Sequence, residues 1–196
     1  MILLFYRTVI KLVMTIANRI RLLLCLYMFM HTSVTAAAPQ SLDQYSVLSA
    51  LTLNFARFTE WPEDAFFASE QKLRVCLVGD NLVQQAFEGI KGKNVGDKSI
   101  EIVNANRLRN LHECHLLFIS ELPRNLLMQV FLVVKSRPIL TIGENEEFVE
   151  SGGMVGMINV NGKIKLYINL PVVKASGLMI SSNILRLSRI FGANIK

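Results

Sequence analysis

Three short apolar runs constrain this chain more than anything else in it: Leu73 to Gly79 (LRVCLVG), Cys114 to Ser120 (CHLLFIS) and Pro138 to Gly143 (PILTIG). They are too short for ordinary helices and do not alternate apolar with polar residues. Runs of that kind read as strands buried on both faces. Between them lie segments with helical spacing, at Leu82 to Phe87 and at about Pro123 to Val134. Apolar strands alternating with helices imply βαβ units and a largely parallel sheet covered on both sides. The expected fold is therefore α/β, a single-domain three-layer sandwich.

The flanking segments extend this plan. From Ser41 to Phe58, Val47, Leu48, Leu51, Phe55 and Phe58 recur at helical spacing, with Ser41 and Gln44 as a capping box and Trp61-Pro62 as the stop. A Gly-rich turn from Gly89 to Gly96 leads to a strand at Ser99 to Val103. Near the end, Ile164, Leu166, Ile168 and Leu170 alternate with Lys163, Lys165, Tyr167 and Asn169, and Asn161-Gly162 joins them to Met154 to Val160. Asn-Gly between two such runs marks a β-hairpin, because both turn residues take positive φ. This C-terminal hairpin extends the sheet. Ile184, Leu187, Ser188 and Phe191 then predict a last helix, with Arg186 and Arg189 on its solvent side. The domain is expected to span residues 40–192, with no repeat or linker dividing it.

What precedes it reads as a secretory signal peptide over residues 1–36. Arg19 and Arg21 lead into nine apolar residues, Leu22 to Met30, followed by small residues that place cleavage near Ala36 or Ala37. Nine apolar residues fall well short of the ~20 needed to cross a bilayer. A complete signal already begins at Met14, which makes that residue the expected start. Cys25 lacks the small preceding residue that lipidation needs. Arg7, Lys11, Arg19 and Arg21 supply four of the 21 basic residues and the leader has no acid, so the remainder holds 17 bases against 15 acids, a net +2 in place of +6. That balance argues against a nucleic-acid binder, which needs a basic stripe. Beyond the leader only Cys76 and Cys114 remain, an even pair in a chain bound for an oxidising compartment. They read as a disulfide, with two buried free thiols as the alternative.

Catalytic signatures are missing. GIKGKN at Gly89 lacks the spacing and hydroxyl of a phosphate-cradling loop, GGMVG at Gly152 does not lead from strand to helix, and there is no nucleophile elbow. No catalytic residue and no cofactor is assigned. His112, Cys114 and His115 cluster, but no second group completes a zinc site, so no metal is assigned either; His112 is expected to cap a turn and His115 to begin a strand. Glu144, Glu146, Glu147 and Glu150 read as a solvated loop or short helix. Open α/β sheets bind ligands beyond the carboxyl ends of their strands, which points to Asp80, Asn81, Ser120, Glu121 and Gly143 as a ligand crevice. Phe58, Trp61 and Pro62, with Phe66 and Phe67 just after them, either lock the first helix onto the sheet or form a partner surface.

Several separated motifs together resemble the YfiR family of periplasmic proteins. They are Asn54-Phe55 with Phe58, Trp61 and Pro62, VCLVGD at Val75, GKNVGDKSIEIV at Gly92, CHLLFIS at Cys114, ILTIGE at Ile139, Gly152-Gly153 with Met154, and LYINLPVVKASGLMISSNILRLSRI at Leu166. The resemblance runs from about Gln44 to Ile190. It implies a periplasmic domain that binds and represses the periplasmic sensor region of an inner-membrane diguanylate cyclase, lowering cyclic-di-GMP and biofilm formation, and that is no enzyme. It also implies an OmpA-like outer-membrane lipoprotein that sequesters the repressor, and a homodimer is plausible for the family. The family's inter-strand disulfide maps onto Cys76 and Cys114; a further Cys pair found later in some members is absent here. Members fused to histidine kinases suggest a second reading, a small-ligand sensor using the crevice at Asp80, Ser120 and Gly143.

Overall fold

The computed structural model describes Met14, Arg19, Ile20 and residues 42–66 and 71–192. Most of the expected signal peptide, its cleavage site, Ser41 of the capping box and Phe67 lie outside these residues. The described residues from Leu42 onward make up one compact unit.

The first helix, α1 (Leu42–Arg57), buries Tyr45, Leu48, Ser49, Thr52, Leu53, Phe55 and Ala56 along one stripe, and Arg57 sits at its negative C-terminal end. A two-residue strand, β1 (Thr59–Glu60), and a 3-10 turn at Glu63–Ala65 follow. Next come β2 (Lys72–Val78), α2 (Asn81–Phe87), β3 (Asn94–Val95), β4 (Lys98–Asn104), β5 (Leu116–Ile119), α3 (Arg124–Val134) and β6 (Leu140–Gly143). The chain ends with α4 (Glu146–Glu150), β7 (Val155–Val160), β8 (Lys163–Asn169), α5 (Leu170–Ala175), β9 (Met179–Ile180), α6 (Ser182–Arg186) and β10 (Ser188–Phe191).

Eight strands form one sheet in the order β10-β8-β7-β6-β5-β2-β4-β3, and β1 with β9 makes a separate antiparallel pair. Neighbours from β4 to β7 run parallel, while β3 and the β7–β8 hairpin add antiparallel pairings. The expected mostly parallel sheet with its hairpin is thus present. Successive residues of a strand point to opposite faces. Leu73, Val75 and Leu77 of β2, with Leu116 and Phe118 of β5, meet α1 and α2 in one apolar core. Cys76, Val78, Leu117 and Ile119 point the other way, into a second core with α3 and α4. Each fully buried Leu or Phe contributes roughly 1.5–3 kcal/mol of burial energy, so a strand that fills both cores is a strong organiser.

The hairpin turn forms as its chemistry requires, with Asn161 at φ 54 and Gly162 at φ 78. The expected last helix does not. Only Ser182–Arg186 is helical, and Ser188–Phe191 is a strand parallel to β8, pairing Ile190 with Ile168. The free edge of β8 offers unpaired backbone groups, and satisfying them outweighs a weak helical periodicity. Leu187, placed on the buried face by that periodicity, is exposed. Arg189 lies over the Tyr167 ring instead of lining a helix. Helix α5 and strand β9 were not expected from the pattern; Asn169 caps α5 and Pro171 sits in its first turn.

Candidate functional site

The chain passes from β2 to β4 on one side and then back to β5 on the other, so the sheet's topological switch lies between β2 and β5. Asp80 and Ser120 follow those two strands, and Gly143 ends the neighbouring β6. The crevice residues named from sequence are therefore brought to one end of the sheet, but Asp80, Ser120 and Gly143 each have a structural partner or neighbour there. Asp80 caps α2, its Oδ1 accepting from the amides of Leu82 at 2.9 Å and Val83 at 3.1 Å. In nucleotide-binding folds those helix N-terminal donors face a phosphate. Here a carboxylate of the chain itself occupies them.

Ser120 is buried and its hydroxyl bonds the phenol of Tyr45 at 3.0 Å. Tyr45 comes from α1 and fills the space above the switch. Burial pushes its phenol pKa up; the Ser120 bond pulls the other way, and the charges of Glu144, Asp80 and Glu121 raise it further. Those acids make the surroundings unfavourable for an anionic ligand. Gly143 lies so close to Phe148 that a Cβ there would stand 2.4 Å from the ring, so this glycine makes room for α4. Asn81 and Glu121 stay exposed, and Glu121 takes a left-handed φ of 45°. Asn106, not singled out from sequence, clasps Gly79 from both sides: its Oδ1 accepts from the Gly79 amide and its Nδ2 donates to the Gly79 carbonyl, each at 2.8 Å.

At the opposite end of β5 the aromatic residues converge. Trp61 Nε1 donates to the His115 carbonyl at 3.3 Å, and its ring meets Phe66 edge-on. Phe66 stacks on His115 with 4.3 Å between centroids, and the Lys98 ammonium lies over the Phe66 ring, 4.6 Å from its centroid. His115 Nδ1 accepts from the Arg74 amide, which fixes the imidazole in place. His112 falls in the 3-10 turn Leu111–Glu113, at the surface. Trp61 and Pro62 are half-buried while Phe58 and Met179 are exposed, and the β1–β9 pairing, which sets Met179 opposite Glu60, holds this corner together. The corner therefore contains both a lock, at Trp61, and an uncovered apolar surface, at Phe58 and Met179.

Cys76 and Cys114 form a disulfide with 5.8 Å between Cα atoms, tying β2 to the segment that enters β5. The alternative of two free thiols is excluded in this structure, and Cys114 has no thiolate to offer a metal. Beside it opens a cavity of about 540 Å³ lined by Asp64, Arg74, His112, Glu113, Cys114 and Arg137, among others. Glu113 faces Arg74 at 3.8 Å and His112 at 4.0 Å, so this cavity is polar and largely charge-balanced. Asn145 caps the short helix that carries the exposed Glu146, Glu147 and Glu150, as expected, whereas Glu144 is not solvated as expected: it directly follows β6 and both its carboxylate oxygens are buried.

Among the described residues, no helix is long and apolar enough to cross a membrane. No curated protein matches the chain. The YfiR/HmsC-like family model matches residues 45–189, from the Tyr45 plug through the aromatic corner and disulfide into β10, and the chain belongs to that family.

Proposed function

We propose that this protein is an exported, periplasmic regulator that acts by binding another protein, the periplasmic sensor region of an inner-membrane diguanylate cyclase, and that it holds the cyclase in its inactive state. The family match over 145 consecutive residues carries this reading. The site geometry supports binding over catalysis: the helix N-terminal donors at the sheet switch are taken by Asp80 and the space above Ser120 by Tyr45. A repressor that prefers the inactive conformation moves the equilibrium by its difference in affinity for the two states, and no nucleotide need touch it. Phe58, with the neighbouring Trp61, Pro62 and Met179, is the proposed contact surface. An OmpA-like outer-membrane lipoprotein is the proposed sequestering partner.

Deletion of the gene should raise cyclic-di-GMP, and the mature protein should co-purify with the sensor region. Phe58→Asp should lose that co-purification while keeping its fold, because Phe58 is exposed. Unchanged cyclic-di-GMP in the deletion strain would overturn the reading. A second reading, small-ligand sensing, is favoured by the polar cavity beside the disulfide rather than by the crevice. A rise in melting temperature with a small solute and without a protein partner, abolished by Arg137→Ala, would support it.

A further inference from the structure

Charge is unevenly spread along this chain. From Ser151 to the C-terminus stand six Lys and Arg residues and not one Asp or Glu, whereas all 15 acids of the protein precede that point. Three of these cations share one face of the sheet. Lys163 and Lys165 alternate along β8 with Tyr167, and the parallel register sets Arg189 of β10 opposite Tyr167, over whose ring its guanidinium lies. All three are exposed, and among the described residues none pairs with an acid. Like charges grouped on one sheet face repel each other, and the neighbouring strand offers no relief: Ile158 and Val160 of β7 stand opposite Lys165 and Lys163.

The backbone beside them is uncompensated as well. Strand β10 covers the edge of β8 but pairs with no other strand among the described residues, so the open edge passes outward to Ser188–Phe191. An edge strand directs unpaired N–H and C=O groups at solvent and is a template for another strand. This one holds no proline to blunt it, and Phe191 is 38% exposed.

We propose that this edge is a docking site for an extended acidic segment of a partner protein, which adds to the sheet as a strand beside β10. Backbone pairing would supply affinity, and carboxylates set against Arg189 and Lys165 would select the segment. Lys165 lies two strand spacings, about 10 Å, from an added strand, a gap that a Lys and a Glu side chain span together. The charges and the edge jointly single out this occupant. A second copy pairing here would bring Arg189 against Arg189, and an anionic lipid surface would answer the charges but leave the backbone edge unpaired. Tyr167 packs on the core opposite α1, so the site does not use the Phe58 surface.

Titration of the mature full-length protein with a capped eight-residue peptide that alternates Glu with Val tests this. The wild type should bind it, more weakly as salt rises, and the amides of Ser188–Phe191 should gain protection from hydrogen exchange. Lys165→Glu with Arg189→Glu should weaken binding at least about tenfold at an unchanged melting temperature. Should that variant melt early, Lys163→Glu with Lys165→Glu leaves β10 untouched and should show the same loss. A peptide of the same charge with its four central residues N-methylated should not bind. Phe58→Asp should bind the acidic peptide as the wild type does, so failure of the cyclase reading would leave this result standing. A wild type that ignores the peptide at millimolar concentration overturns the proposal, as does binding that survives charge reversal or N-methylation. Co-sedimentation with phosphatidylglycerol vesicles without peptide binding would assign the face to a membrane surface and overturn it too.

Discussion

Strands β5 and β8 belong to one sheet and are built on different plans. All four residues of β5 are buried, two in each core. In β8, Lys163 and Lys165 are exposed, Ile164 and Leu166 are half-buried, and only Ile168 and Asn169 are fully covered. The difference is one of coverage: β5 lies mid-sheet with helices on both faces, and β8 lies one strand from the edge. Stability should therefore concentrate around β5, with the hairpin half tolerant of change.

The sharpest way to break this contrast is to empty β5. Phe118→Ala removes a ring that is fully buried against Phe87 and should cost roughly 3–5 kcal/mol by denaturant unfolding. An equal cost for Ile164→Ala in β8 would show that coverage is not the controlling variable. Reducing the Cys76–Cys114 disulfide, or replacing both residues by Ser, frees a link between residues 38 apart and should cost about 2–5 kcal/mol. Oxidised and reduced proteins that unfold at the same denaturant concentration would remove the bridge from the account.

Tyr45→Phe tests the plug above the switch and should cost about 1 kcal/mol through its lost bond to Ser120. Because the folded-state pKa of Tyr45 is raised above its ordinary 10.0, its contribution is fully present below that pH and is lost as pH rises through the folded value. The wild type should thus lose stability in strong alkali more steeply than Tyr45→Phe, which a pH series of melting curves would measure. The smallest effect is expected at a partly exposed ion pair in the middle of β4. There, the hydrogen bond from Lys72 at 2.8 Å, with the nearby Arg74, holds the Glu101 carboxyl below its ordinary 4.5. Its contribution is present above pH 4.5 and lost as pH falls through the lower folded value. Being a third exposed, Glu101 should lose well under about 1 kcal/mol on change to Gln, seen as a shallower acid limb.

Much of the architecture was legible because its signals are local. LRVCLVG and CHLLFIS carry burial on both faces in their composition, and Asn161-Gly162 carries its turn in two residues. The crevice residues lie at the strand ends, where the sequence order alone sets them, and their partners there were not legible. Asp80 before Leu82 and Val83 has the spacing of a helix cap, which could have been read. Tyr45 could also have been found, as a polar-tipped aromatic in register with Leu48 and Thr52 on the inner stripe of α1. Its partner Ser120 lies 75 residues away, and no pattern within a helix names it.

The segment after Pro171 shows where local reading ends. Ile184, Leu187, Ser188 and Phe191 have helical spacing, but Ser188–Phe191 pairs with β8, which presents an open edge only once the sheet is assembled. The amino-acid pattern alone determined the layers, the alternation of strand and helix and the hairpin, because side-chain periodicity and turn conformation are properties of neighbouring residues. The tertiary structure alone decided that the switch crevice is plugged by Tyr45 and that the last segment joins the sheet. Those outcomes depend on which backbone groups and surfaces remain unsatisfied after the rest has packed, and that is a property of the whole fold.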